Sequence, residues 1–238
     1  MIHRRFSIFR RVPVFGLLAG LASLGAQAEN ATNSPAPQLV QTAPEMFALG
    51  QVQFDKTRRS VTFPVKVNQR DGMIEYAIVH TKGKTHESLL TTTVEPQHIH
   101  VALLLLGVKA ANTNSFPESL KLPPPGEAVT IEVSWKTAGQ ETRRRLEELV
   151  QERETKKPMA RGPWIYNGSH IFEKTFIAQR DGSIVSTHID PDALVNNPRP
   201  GRENDELYVV NPDALPPEDA AVSVTIQLAP IPTPGKVP

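Results

Sequence analysis

The sequence predicts a β-rich α+β fold, an antiparallel sheet or sandwich that packs around one buried short helix and a few helical turns. Three segments carry this prediction, because apolar and polar residues alternate along Val61–Val67, Val129–Trp135 and Val222–Leu228. A period of two places the apolar side chains of a strand on one face of a sheet. Helical periodicity, by contrast, is confined to short stretches of the 238-residue chain.

The first alternating segment is followed by a turn and by a second apolar segment. Asp71-Gly72 is typical of tight hairpin turns, and Met73–Val79 then returns as an apolar strand. We therefore predict a hairpin between the two segments. Pro64 has no backbone N–H to donate to a ladder, which favours a sheet edge for the first strand.

The second alternating segment also leads into a turn, at Ala138-Gly139, after which Thr142–Leu146 is predicted to pair back. A helical turn near Glu147–Gln151 is expected next. Shorter strand candidates, which are apolar but less regular, are Trp164–Tyr166, Phe172–Ala178, Ile184–His188 and Leu207–Val210.

The strongest helix signal covers Pro96–Leu106. Proline suits the first helical position and Gly107 suits the left-handed residue beyond the end. Because this helix is nearly all apolar, we expect it to be buried on most sides. A second, short helix is predicted over Asp190–Val195, with Asp190 as its N-cap.

Residues 1–28 have the order of a secretory signal: a basic start, the apolar run Val14–Leu24 and the small residues of Ala26-Gln27-Ala28. The apolar run is well short of the ~20 residues that a spanning helix needs. We expect cleavage after Ala28, no stable membrane span afterwards and a periplasmic or extracellular location. A flexible linker over 29–45, a β-rich domain over 46–228 and a Pro-rich tail over 229–238 complete the predicted organisation.

Composition excludes several classes of function. Residues 29–238 hold 22 basic and 25 acidic side chains, so the charge does not favour nucleic acid as a partner. The absence of cysteine excludes disulfides, thiolate metal sites and cysteine nucleophiles. No complete phosphate-binding loop, serine-hydrolase elbow or zinc-protease motif is present.

A loose histidine cluster is the candidate metal site. Imidazole and carboxylate ligands from His86, Glu87, His98 and His100 suit a divalent transition metal, which is the one cofactor that the sequence suggests. If residues 96–101 formed a strand, His98 and His100 would share a face. In the predicted helix they point about 200° apart. The alternative is that these histidines cap, hydrogen-bond or face solvent.

A polar loop supplies the candidate ligand-binding residues Asn197, Arg199 and Arg202. Arginine can bind a carboxylate or phosphate bidentately, so a small anionic ligand is one candidate partner. The alternative is a rigid turn whose arginines pair within the chain. Trp164 is expected in the core, with sugar stacking as a lesser alternative. The run Arg143–Arg145, followed by several glutamates, predicts a solvated charged face.

Several motifs occur in an order that resembles the YdjY-like domain family of secreted bacterial proteins. They are Gly83-Lys84-Thr85-His86-Glu87-Ser88-Leu89-Leu90, then His98 and His100 with Ala102–Gly107, Trp164-Ile165-Tyr166 with Gly168-Ser169, and Asp190-Pro191 with Ala193–Arg202. The resemblance spans residues 46–228 and implies an exported bacterial protein. It also groups His86, Glu87, His98, Asn197, Arg199 and Arg202 as residues of interest for a shared site.

These observations support two hypotheses of different kinds. The first is an exported, non-catalytic binding or interaction domain, whose partner is an envelope protein or a small anionic ligand. The second is a metal-binding protein or metal-dependent enzyme, in which a metal held by His86, Glu87 and His98 activates water.

Overall fold

The computed structural model describes residues 37–111 and 122–230, and strands dominate it. The predicted leader over 1–28 and almost all of the predicted tail lie outside the described residues. The strands are β1 (Leu39–Ala43), β2 (Met46–Leu49), β3 (Val52–Asp55), β4 (Ser60–Val67), β5 (Tyr76–His80), β6 (Ser88–Thr92), β7 (Glu127–Thr137), β8 (Gln140–Arg145), β9 (Val150–Glu152), β10 (Trp164–Tyr166), β11 (Ile171–Phe172), β12 (Thr175–Phe176), β13 (Ser183–Ser186), β14 (Val195–Asn196), β15 (Tyr208–Val210) and β16 (Val222–Leu228). The helices are α1 (Pro96–Leu105) and α2 (Ile177–Asp181).

Eight of the strands form a closed sheet, in the order β4-β16-β7-β10-β14-β13-β5-β6 and back to β4. The β-rich prediction is confirmed, but the predicted antiparallel sheet or sandwich is instead a closed sheet that contains parallel pairs. Closure depends on β6, which pairs in parallel with β5 and antiparallel with β4. A second parallel pair joins β13 to β14. None of the helices within the described residues is long and apolar enough to cross a membrane.

The predicted hairpin between residues 61–67 and 73–79 was wrong, because β6 lies between the two strands. All five residues of β6 are buried, so its sequence, SLLTT, carries no alternation. A strand that is buried on both faces gives no period-two signal. The turn residues at 71–72 were therefore assigned to a hairpin that the sheet does not contain.

Pro64 lies inside the sheet, although its missing N–H had favoured an edge. One edge of β4 pairs with β16 along its length, whereas the other edge pairs first with β3 and then with β6. The Pro64 carbonyl accepts a hydrogen bond from the Thr92 hydroxyl of β6 at 2.7 Å. The carbonyl and the nitrogen of one strand residue point to the same side, so the nitrogen of Pro64 also faces this second edge of β4. It lies between the residues that pair with β3 and those that pair with β6.

Strands β1 to β3 form an antiparallel meander beside β4. β1 occupies residues that were predicted as the end of the flexible linker, so the sheet begins earlier than residue 46. All five of its side chains are exposed. Without burial there is no apolar face to detect, and the strand was missed for that reason.

Alternation correctly identified β7 and β16, which pair with each other over seven residues. Their buried positions include Val129, Ile131, Val224 and Ile226, all of which belong to the core. β8 pairs back onto β7 as predicted, and a 3-10 turn at Leu146–Leu149 follows it. The short strands at 164–166, 183–186 and 208–210 also agree with the sequence prediction.

Helix α1 confirms the predicted bounds within one residue and packs its buried side, which includes Ile99 and Leu103, onto the core. The N–H of Gln97 donates to Oε1 of Gln179 at 3.0 Å, so α2 satisfies a free donor at the start of α1. The predicted helix at 190–195 was wrong. Its N-cap residue, Asp190, instead forms a local turn, in which its Oδ1 accepts from the N–H of Asp192 at 2.9 Å.

Candidate functional site

The residues proposed as metal ligands do not converge. His86 is exposed, and its Nε2 lies 3.4 Å from Oε2 of the adjacent Glu87. His98 lies beside the turn between β2 and β3. His100 faces Tyr166, whose hydroxyl lies 2.8 Å from Nδ1 of the imidazole. Within residues 37–111 and 122–230, no group of three His, Asp or Glu side chains is placed to hold a metal ion.

The helical conformation of α1 explains why His98 and His100 separate. Both belong to the helix, so the strand that would have aligned them is not formed. Residues two positions apart on a helix point to different sides. Among the described residues, the metal hypothesis therefore lacks a shared set of ligands.

Arg199, proposed to bind an anion, is buried and its guanidinium is occupied by the chain itself. Nη2 donates to Oε1 of Glu147 at 3.1 Å and to the carbonyl of Gly162 at 3.0 Å. Nη1 donates to Oδ1 of Asn197 at 3.0 Å, and Nε donates to the carbonyl of Ala160. All three nitrogens thus have partners within the protein.

Glu147 is the counter-ion of Arg199 and has no solvent exposure. Its Oε1 also accepts from Nη2 of Arg145 at 3.0 Å and from the N–H of Gly162 at 3.2 Å. Burial lowers the pKa of Arg199, because it disfavours the charged form, whereas Glu147 acts in the opposite direction. The sequence had placed Glu147 on a solvated face, and in this position that prediction was wrong.

Trp164 lies beneath the same guanidinium, with Cζ of Arg199 4.9 Å from the centroid of its ring. The indole is fully buried, as is the ring of Tyr166 two residues later. The prediction that Trp164 belongs to the core is confirmed. No face of the Trp164 ring is open to a sugar.

Arg202 is also buried, with 4% exposure, and holds the loop that contains it. Its Nη1 donates to the carbonyls of Pro198 and Arg199 at 3.0 and 2.9 Å, and its Nε donates to the carbonyl of Leu122 at 3.2 Å. Nδ2 of Asn197 donates to a backbone carbonyl at 2.7 Å. The three residues proposed for an anionic ligand therefore form part of the polar interior.

A second buried network connects β5 to the same loop. The hydroxyl of Tyr76 donates to Oδ2 of Asp190 at 2.9 Å and accepts from Nζ of Lys84. Burial, reinforced by the charge of Asp190, raises the pKa of Tyr76, so the hydroxyl remains a donor. Asn196 extends the network, since its Oδ1 accepts from the N–H of Asp190 at 2.6 Å and its Nδ2 donates to Asn167 at 2.8 Å.

Large apolar side chains are presented to solvent both by α1 and by the β11–β12 hairpin. Leu104 and Leu105 of the helix are 42% and 45% exposed, and Ile171 and Phe172 of the hairpin are 72% and 57% exposed. These four residues are termed the apolar surface below. Helix α1 contains no Asp, Glu, Lys or Arg, so no charged side chain from the helix interrupts this surface.

The hairpin and the helix are in direct contact. The rings of Phe176 and His100 have centroids 4.8 Å apart, and Phe176 pairs with Ile171 across the hairpin. His100 precedes Leu104 by four residues, which places both on the same side of the helix. The hairpin therefore lies beside the helix, with Ile171 on the hairpin face that Phe176 turns toward His100.

The turn that connects β11 to β12 is strained. Glu173 and Lys174 have φ angles of 46° and 66°, in the left-handed region that favours glycine. Each such residue costs on the order of 1 kcal/mol. The favoured two-residue hairpin loop has positive φ at both central residues, and here it holds the strand that presents Ile171 and Phe172 to solvent.

His100 makes the stability of this region dependent on pH. Burial lowers the pKa of His100, so the folded protein favours the neutral imidazole. Above the unfolded pKa of about 6.5, His100 is neutral in both states and the protein keeps its full stability. As the pH falls below that value, the unfolded state binds the proton first, so the free energy of unfolding decreases until the pH reaches the folded pKa. We expect urea unfolding to show a smaller loss of stability on acidification from neutral pH in His100→Gln than in the wild type. Identical pH profiles would contradict this assignment.

Comparison with known proteins identifies the family. The model of the YdjY domain matches residues 52–227, which is more than half of the chain. The match covers β3 to β16 almost completely, and with them both buried networks and the apolar surface. Comparisons with curated proteins and with solved structures found no significant match. The chain belongs to the YdjY domain family.

Proposed function

We propose that the protein is exported and acts as a non-catalytic binding domain whose partner, an envelope protein, docks an apolar segment onto the apolar surface. The observation that supports this proposal is the exposure of Leu104 and Leu105 on a helix without charged residues. A surface helix ordinarily carries polar residues on its outer side, and a helix that is apolar all round is covered on every side. A partner supplies the cover that the described chain does not.

The proposed partner is a protein and not a lipid surface because of the charges around the hairpin. Its turn carries one acidic and one basic residue, Glu173 and Lys174. The nearby Arg180 is paired with Asp181 through its Nε and Nη2. Attachment to an anionic membrane requires an excess of basic residues, whereas a rim of mixed charge is typical of protein interfaces.

A small anionic ligand receives less support. Arg199 and Arg202, which would bind it, donate to carbonyl groups and to a buried carboxylate within the chain. Opening that site to a ligand would leave Glu147 buried and without one of its cationic partners. Breaking a buried ion pair in this way costs about 3–5 kcal/mol of free energy.

Photocrosslinking in the intact host tests the proposal. A benzophenone amino acid is placed at Phe172 or at Leu104, and at Glu154 as an exposed position outside the apolar surface. We expect the same polypeptide to be crosslinked from both Phe172 and Leu104, because one partner covers both. Glu154 should give no such adduct. N-terminal sequencing of the recovered protein should begin at Glu29, as export with leader cleavage requires.

Two results would overturn the proposal. One is the absence of adducts from Phe172 and Leu104 when the full chain is present at its normal level. The other is an identical pattern of adducts from all three positions, which would indicate random collision. Protein that retains the leader in the cytoplasm would overturn the exported location.

A further inference from the structure

Helix α2 connects the β11–β12 hairpin to the start of α1. The hairpin runs directly into α2, and hydrogen bonds join the two at their base. The N–H of Ile177 donates to the carbonyl of His170 at 3.0 Å. The N–H of Ala178 donates to Oγ of Ser169 at 3.1 Å. Because of these bonds, a movement of α2 against α1 would carry the hairpin with it.

One side chain of α2, that of Gln179, binds the start of α1 through both of its amide atoms. Its Nε2 donates to Oε2 of Glu95, the N-cap residue of α1. Its Oε1 accepts from the N–H of Gln97 at 3.0 Å. An ionised glutamate would lack the donor and a lysine would lack the acceptor. The amide of Gln179 is therefore matched to both of its partners.

Glu95 also lies against the closed sheet. Nε2 of His80, a buried residue at the end of β5, lies 3.9 Å from Oε1 of Glu95. Nδ1 of the same imidazole accepts from the N–H of Lys82 at 3.1 Å, so Nε2 carries a proton and faces the carboxylate. The sheet, Glu95 and Gln179 thus lead in sequence to α2 and the hairpin.

We infer that Gln179 is a positioning residue for the apolar surface, because it keeps the hairpin part aligned with the helical part so that one partner can contact both. The rings of Phe176 and His100 attach the hairpin to α1 at one point. Gln179 supplies a second point, near the start of the helix. One point of attachment would leave α2 free to rotate on α1, whereas two points fix its direction. The inference rests on the proposed function and names the residue on which the alignment depends.

Spin labels measure this alignment without a partner. The chain has no cysteine, so Leu105→Cys/Phe172→Cys carries labels at two chosen exposed positions, one on each part of the apolar surface. With Gln179 in place, double electron–electron resonance should give a narrow distribution of distances. Gln179→Glu sets a second carboxylate against that of Glu95, and Gln179→Ala removes both hydrogen bonds, so each should broaden the distribution. Glu95→Gln/Gln179→Glu exchanges donor and acceptor, and the narrow distribution should return.

Photocrosslinking in the intact host measures the consequence for binding. With benzophenone at Phe172, Gln179→Glu should give about tenfold less adduct than the wild type, as expected for the loss of a hydrogen bond to a charged group. Glu95→Gln/Gln179→Glu should recover the yield. Gln140→Glu makes the same chemical change at an exposed position in β8 and should behave like the wild type.

The two measurements separate this inference from the proposed function. A distribution in Gln179→Glu as narrow as in the protein with Gln179 would overturn the inference, and so would broadening that the exchange variant does not reverse. Broadened distances with undiminished adducts would overturn the role of Gln179 in binding. If Phe172 gives no adduct even in the wild type, the proposed function fails, whereas the distances still decide whether Gln179 aligns the hairpin with α1.

Discussion

Arg199→Ala is expected to lower the free energy of unfolding by about 3–5 kcal/mol, the range for breaking a buried ion pair. The change leaves Glu147 fully buried with only one of its two arginine partners. It also removes one of the two donors to the Gly162 carbonyl and one of the two donors to Oδ1 of Asn197, and it uncovers one face of Trp164. Urea unfolding monitored by tryptophan fluorescence measures the loss.

Arg161→Ala is the matched control. Arg161 also pairs with a glutamate, since its Nη2 lies 2.7 Å from Oε1 of Glu148, but its side chain is 73% exposed. An exposed pair contributes about 0–1 kcal/mol. If both variants lost the same small amount of stability, Arg199 would be a surface residue, and the ligand-binding interpretation of this loop would regain support.

Gly126→Ala should lower the free energy of unfolding by about 4 kcal/mol or more, which is exceptional for one substitution. Gly126 has a φ of 140°, and a Cβ at this position would lie 2.1 Å from the carbonyl oxygen of Tyr166. The backbone of β10 would have to move away from β7. Since these strands are neighbours in the closed sheet, the ring of eight strands would open at this point.

Gly139→Ala provides the comparison for this prediction. Gly139 also has a positive φ, of 82°, but nothing lies within 4 Å of a Cβ placed there. Its substitution should cost about 1–2 kcal/mol, the intrinsic cost of left-handed backbone for a residue with a side chain. Thermal unfolding of both variants separates the two effects. Equal losses would contradict the close approach of β7 to β10.

The sequence was informative where strands are half buried. β7 and β16 bury alternate residues, so a period of two identifies them directly. It was uninformative for β6, which is wholly buried, and for β1, which is wholly exposed. The closure of the sheet depends on β6 and could not be predicted, because pairing between strands is not encoded in the local pattern of either strand.

The candidate site was predicted less well, for a physical reason. Arginine and asparagine serve equally well as ligand donors and as partners for buried backbone, and only the fold decides between the two roles. Residue type therefore could not show that Arg199 and Asn197 point inward. The apolar surface had a signal in the sequence, since α1 lacks charged residues, but that pattern was interpreted as burial within the chain.

The proposed binding of a partner at the apolar surface is tested most directly by titrating the purified wild-type chain and Phe172→Asp with the polypeptide that is crosslinked from Phe172. Loss of one buried aromatic contact, at about 1.5–3 kcal/mol, predicts an affinity at least tenfold lower in the variant. Glu154→Lys should bind like the wild type. Equal affinities of the wild type and Phe172→Asp would contradict the account.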